Sequence, residues 1–215
     1  MKSARVAYNE VMNPPRPANF PKLDPAEPAF WDVRFAADFT PWDQGGVPQS
    51  LLDYVARHPE PRKVLIPGCG TAHEAHYLRR LGWAATAIDF SPAAVARARE
   101  LMGEFGAHVQ EADFFGAALR EARFEVIYER AFLCALPRSR WADWAARMAE
   151  LIEPGGRLIG FFYFDDNPKG PPFGISRDAL NALLGGHFAC IDDAAPPDSI
   201  GPFVGRERWQ VWQRR

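Results

Sequence analysis

The sequence predicts a doubly wound α/β fold: a seven-stranded, mostly parallel sheet that ends in a C-terminal antiparallel hairpin. Three observations predict it. From residue 48 onward, short apolar runs alternate with helical patterns, as in strands joined by crossover helices. The run "KVLIP" at 63–67 is short and apolar, as expected of a parallel strand covered on both faces. Near the C-terminus two strand-like runs follow each other with no helix between them, so they should pair antiparallel.

Taken in order, "PQSLLDYVARH" is an amphipathic helix, "KVLIP" the first strand, and "AHEAHYLRRLG" a helix that stops at Gly82. "WAATAID" is the second strand. The helix "SPAAVARARELMG" follows, with Ser91 placed to cap it and Pro92 at its first position. "AHVQEAD" and "FEVIYE" are the third and fourth strands. In "RSRWADWAARMAELIEPGG", Trp141, Trp144, Ala145, Met148, Leu151 and Ile152 fall on one helical face. Pro154 and two glycines should end that helix. "RLIGFFYF" is the fifth strand, "SRDALNALLGG" a helix, and "HFACIDD" with "ERWQVWQ" the closing hairpin.

Residues 1–45 differ from the rest. They hold seven of the 20 prolines and carry Phe20, Phe30, Trp31, Phe35, Phe39 and Trp42. Proline excludes a long helix, and the aromatic content is too high for a solvated tail. This segment reads as an arm or lid, with short helical turns near "EPAFWDVRFAADF".

The chain has 215 residues, enough for one domain with a full core. A net charge of −2 offers no broad basic surface for nucleic acid or an anionic membrane. No apolar run approaches the roughly 18 residues of a membrane span, and the first residues lack the apolar centre of a signal peptide. Cys69, Cys134 and Cys190 are an odd number without paired spacing, which suits reduced thiols in a cytoplasm. The expectation is a soluble cytoplasmic protein acting on a small molecule as a monomer.

The chemistry points to the strand ends. "VLIPGCGTAHE" reads as strand, tight turn and helix start, with Gly68 and Gly70 where a side chain would be in the way. Ligands of open α/β sheets sit beyond the carboxyl ends of the strands. Asp89 closes the second strand 19 residues after Gly70 (89 − 70) and can take both hydroxyls of a ribose, with Phe90 beside it. Asp113 closes the third strand and can accept from an adenine amine while Phe114 packs on the ring. The adenosine part of a cofactor fits this set. "GCG" lacks the third glycine of a dinucleotide fingerprint, and no P-loop motif is present.

Motif order and hairpin tail together resemble the class I S-adenosyl-L-methionine-dependent methyltransferases, a Rossmann-like fold. "TPWDQGG" at 40–46, "LIPGCGTAHE", "YERAFLCALP" at 128–137, "MAELIEPGGRLIGFFYF" and "GPPFGIS" at 170–176 resemble the thiopurine S-methyltransferase family. The nearest branch is the one that includes thiol and halide methyltransferases. The resemblance runs from about residue 28 to the C-terminus and makes 46–215 the methyltransferase domain. It implies that Trp42 lies against S-adenosyl-L-methionine and that Gly68 and Gly70 contact its methionine end. It further implies ribose on Asp89, adenine on Asp113, and Arg130 and Tyr163 bordering the acceptor pocket, with Glu129 among the cofactor residues. The acceptor it implies is a small soft nucleophile: a thiol, or a halide or thiopurine. The chain departs in carrying Glu129-Arg130 where relatives vary.

Each residue has a structural alternative. The glycines would serve a tight turn, and Trp42 would anchor the arm. Asp89 would cap the helix at Ser91 and Pro92, Asp113 would start the short turn at "FFGAAL", and Tyr163 would be strand core. His73 and His76 sit three apart on one helix with no third ligand for a metal; a surface or loop contact suits them better. Cys69 suits a small buried filler. Two other functions also use such a fold: a nicotinamide-dependent oxidoreductase, and a non-catalytic adenosine-binding module without an acceptor pocket.

Overall fold

A computed structural model describes residues 20–199 and 201–215. The first 19 residues of the predicted arm lie outside the described residues. The strands are β1 (Lys63–Pro67), β2 (Ala84–Asp89), β3 (Val109–Glu111), β4 (Phe124–Arg130), β5 (Ile152–Tyr163), β6 (Phe188–Ala194) and β7 (Glu207–Arg214). They form one sheet in the order β3-β2-β1-β4-β5-β7-β6. β1 to β5 run parallel to one another, and β7 is antiparallel to both β5 and β6. The closing hairpin therefore forms as the tail predicts. The chain runs outward through β1, β2 and β3, then crosses back to β4. That reversal leaves a crevice at the carboxyl ends of β1 and β4.

The helices are α1 (Pro28–Ala36), α2 (Gln49–Arg57), α3 (His73–Arg80), α4 (Pro92–Met102), α5 (Trp141–Leu151) and α6 (Arg177–Leu184). Side chains alternate faces along each strand, and the two faces feed two cores. Val64, Ile66, Val126 and Tyr128 pack with Tyr54 of α2, Leu78 of α3 and Val95 of α4. Leu65, Ile127 and Leu158 pack with Trp144 and Met148 of α5 and Leu180 of α6. A sheet buried on both faces has no use for alternating polarity, which is why β1 reads as an apolar run.

Local signals act as expected at the helix ends. The Ser91 hydroxyl accepts from Ala94 N at 3.2 Å, with Pro92 in the first turn. Gly82 ends the run after α3 at φ +83°. Two boundaries differ. α5 stops at Leu151, and Ile152 opens β5 opposite Phe124. The register then jumps to Val126 opposite Arg157, so four residues of β5 stand against one of β4 in a bulge. Pro154 disfavours helix at Glu153 and Gly155 turns at φ +79°, so Ile152 stays in the same core but from a strand. β3 is three residues long, because 103–108 wind into a 3₁₀ turn and, among the described residues, only β2 pairs with it. Asp113 accordingly lies two residues beyond that strand.

The described part of the arm crosses the carboxyl end of the sheet. Asp32 Oδ1 accepts from the Ser91 hydroxyl at 2.5 Å and from Ala93 N at 3.1 Å, at the start of α4. Asp38 pairs with Arg97 on the same helix. Phe30 and Phe35 of α1 are buried.

Candidate active site

The turn after β1 needs its glycines. Gly68 has φ +57° and Gly70 φ +52°, left-handed conformations that side chains rarely adopt. A Cβ on Gly68 would lie 2.6 Å from Phe132 Cδ2. The space therefore belongs to a ring brought from the segment after β4. Gly70 N donates to Asp89 Oδ2 at 3.0 Å, and Ser91 N to Asp89 Oδ1 at 2.9 Å. Burial pushes the Asp89 carboxyl up to about 6, against the pull of the backbone N–H groups of Ser91, Gly70 and Phe90.

Past β3, Asp113 is exposed and its Oδ1 accepts from Phe115 N at 2.9 Å. Phe114 is buried and meets Phe132 edge to face at 5.2 Å. These groups wall a cavity of about 510 Å³ that lies between the strand ends and the arm. Trp42, Gly68, Gly70, Asp89, Phe90, Asp113, Phe114 and Arg130 all line it. Farther along it, Phe39, Pro171, Pro172 and Phe203 make the wall aromatic and apolar.

Two expected residues are not brought to that wall. Glu129 turns inward: its Oε1 accepts from Phe132 N at 2.9 Å and Leu133 N at 3.1 Å, closing the turn after β4. Burial pushes its carboxyl up to about 7, with those two N–H groups opposing. Tyr163 stands behind the wall, its ring 5.7 Å from Phe203 and its hydroxyl donating to Asp165 Oδ2 at 2.7 Å.

Arg130 sits at a junction. One guanidinium nitrogen donates to Gln44 Oε1 of the arm at 3.0 Å, and the other lies 3.9 Å from Glu207 Oε2 of β7. The Phe161 ring lies 4.0 Å beneath it. Arg130 also walls a second cavity of about 50 Å³, which shares Trp42, Gly68, Gly70 and Ala131 with the larger one. Its remaining lining brings the polar side chains of Asp43, His73, Glu74 and Tyr128 together with Ile66 and Ala72. Asp43, on the arm, accepts from the Thr71 hydroxyl at 2.5 Å and Gly45 N at 2.7 Å, with His73 Nε2 at 3.5 Å. Burial would raise the Asp43 carboxyl, but the bonds from His73, Thr71 and Gly45 outweigh it and hold it at about 2. His73 thus makes a loop contact to the arm.

Asp32, Asp43, Gln44, Glu74 and Glu207 were not legible as site groups. Asp43 and Gln44 stand next to Trp42 in "TPWDQGG", which is a weak positional hint. Nothing local reveals that Asp43 reaches Thr71.

The family profile described as Thiopurine S-methyltransferase (TPMT) matches residues 26–215. The chain belongs to the thiopurine S-methyltransferase family. It is 28% identical over 192 residues to thiocyanate methyltransferase 1 of Arabidopsis thaliana, covering 86% of this chain and 84% of that one. It is 27% identical over 202 residues to a thiopurine S-methyltransferase of Vibrio parahaemolyticus, covering 83% and 91%. Among solved structures, the 1,6-didemethyltoxoflavin-N1-methyltransferase of Burkholderia thailandensis, bound to S-adenosylhomocysteine, superposes with a TM-score of 0.71 at 20% identity. That match covers 92% of this chain and 93% of the other. This member of the thiopurine S-methyltransferase family is an S-adenosylmethionine-dependent methyltransferase, which sets the nicotinamide alternative aside. The site fits that cofactor: the left-handed glycine turn leaves its backbone open to the cavity, a buried carboxylate ends β2, and about 510 Å³ is within the range of small-molecule sites.

Proposed function

We infer that this enzyme methylates a small thiol, with halides and related soft anions as secondary acceptors. The observation that carries the reading is that Arg130 lines the same cavity as Trp42, Phe39 and Phe203. A free thiol ionises near ~8.5 in water, and a fixed cation beside it raises the thiolate fraction. The names of the relatives, thiocyanate and thiopurine methyltransferases, support a sulfur acceptor.

The residues divide the work. Asp89 accepts the ribose hydroxyls, Asp113 the adenine amine with Phe114 against the ring, and Gly68, Gly70 and Trp42 border the methionine end. When bound, S-adenosylmethionine supplies a methyl group already activated on a sulfonium. Trp42, which packs edge to face on Trp31 at 5.4 Å and Phe35 at 6.0 Å, offers that cation an aromatic face. The arm closes over the cavity as a lid, excluding water and aligning the partners. The thiol loses its proton to solvent before it attacks, and Arg130 steadies the anion. Glu129 holds the turn that carries Phe132, and Tyr163 supports Phe203, so both act through the wall rather than on it. We read the enzyme as a cytoplasmic monomer on the strength of its unpaired cysteines and its small-molecule cavity.

The test is a panel of thiols, halides and chalcogen anions scored by S-adenosylhomocysteine release. Turnover of thiols is expected, and an inactive panel would overturn the acceptor class.

A further inference from the structure

The small cavity behind the glycine turn differs chemically from the chamber in front of it. One of its walls is Glu74, on the first turn of α3, whose Oε1 accepts from the Tyr128 hydroxyl at 3.2 Å. Among the described residues that hydroxyl is the side-chain donor to the Glu74 carboxylate. Burial pushes the carboxyl up and the charge of Asp43 adds to it, while the charge of Arg130, a bond from the Glu74 backbone N–H and the charge of His73 pull it down. The neighbouring charges are otherwise engaged. His73 is turned to Asp43, and Arg130 to Gln44 and Glu207. Glu74 therefore keeps unused acceptor capacity in a space of about 50 Å³ that opens onto the cofactor cavity. A half-buried carboxylate whose donors are the Tyr128 hydroxyl and its own backbone N–H gains from a further donor. The space admits a small polar head rather than a ring. A group with three N–H donors and a positive charge satisfies both the hydrogen-bonding and the charge requirement.

We propose that Glu74, oriented by Tyr128, receives the α-ammonium group of S-adenosylmethionine. A carboxylate in the small cavity that opens onto the larger one orients the cofactor by its ammonium end. That orientation fixes the sulfonium at the mouth of the acceptor chamber. The role rests on the cofactor and not on the acceptor, so failure of the thiol panel leaves it standing.

Binding calorimetry with three ligands tests it: S-adenosylhomocysteine, its deaminated analogue that keeps the carboxylate, and 5′-methylthioadenosine, which has neither group. Wild-type protein should bind the deaminated analogue about tenfold or more weakly than S-adenosylhomocysteine, the scale of a bond to a charged group. Glu74→Gln should lose a similar factor for S-adenosylhomocysteine while keeping 5′-methylthioadenosine within about twofold. Tyr128→Phe should show a smaller loss with the same ligand selectivity. Equal wild-type affinity for S-adenosylhomocysteine and its deaminated analogue overturns the assignment without any variant. So does a Glu74→Gln variant that weakens all three ligands alike, or none.

Discussion

Gly70 N donates to Oδ2 of Asp89 at 3.0 Å, so the carboxylate that ends β2 also holds the turn that follows β1. Two loops far apart in sequence are thereby locked into one wall. The ionised form is the one that best accepts both the Gly70 amide and the two hydroxyls of a ribose.

Cofactor affinity should therefore depend on pH through Asp89. Its carboxyl sits at about 6 in the folded chain, above the ~3.9 of a free aspartate. Between those values the folded chain holds a proton that the unfolded chain has lost. Burying the ionised group thus costs stability above about 6, and acidification through this window relieves that cost. Binding runs the other way, because protonation removes an acceptor from the hydroxyls. Affinity for S-adenosylhomocysteine should fall below about pH 6. Asp89→Asn should weaken binding by about 1.5–3 kcal/mol at neutral pH and flatten that limb. Calorimetry across the range decides it; an unchanged profile in the variant would clear Asp89.

Gly68→Ala should destabilise the fold by about 1–3 kcal/mol, from left-handed strain and the contact with Phe132 together. The added Cβ would meet that ring at 2.6 Å. Gly46→Ala is the control, since nothing lies within 4 Å of a Cβ there. Urea unfolding of the two variants should separate them. Phe132→Leu in the Gly68→Ala background should recover the steric part and leave the backbone strain.

The arm should close on the cofactor. Asp32 holds the start of α4, and Asp43 holds Thr71 and His73 beyond the glycine turn. Hydrogen exchange across residues 20–45 is expected to slow when S-adenosylhomocysteine is added. Asp32→Ala should speed exchange in the arm and raise the KM for cofactor, with the core strands unaffected. Identical exchange with and without ligand would rule out a lid.

Arg130 should govern the acceptor. Thiol turnover should rise with pH as the thiolate fraction grows, whereas iodide, already an anion, should show no such limb. Arg130→Met should lower the thiol rate and move its midpoint upward. Glu207→Gln removes the negative charge 3.9 Å from the guanidinium, leaves the cation less offset and should move the midpoint downward, opposite to Arg130→Met. Steady-state pH profiles of the three proteins with one thiol and with iodide make the comparison, and a wild-type profile in Arg130→Met would free Arg130 of the role.

The strands, the helix caps and the closing hairpin were legible in the sequence because their causes are local. Ser91 caps a helix through an amide three residues on, and an apolar run such as β1 reports two buried faces by itself. That the glycine turn and Asp89 would border the cavity was legible for a related reason: strand ends can be counted, although Asp113, read as a strand end, lies two residues past one. Where Asp43, Glu74 and Glu207 lie could not be counted. Asp43 reaches Thr71 across 28 residues, and Glu207 reaches Arg130 only because β7 inserts between β5 and β6. Glu129 and Tyr163 show the same limit from the other side, since both stand at strand ends and both turn away from the cavity. Which way a strand-end side chain points is set by the elements packed around it, and those neighbours come from distant parts of the chain. Local sequence determined the frame and its ligand-facing edge; the charges that line the edge were chosen by long-range packing.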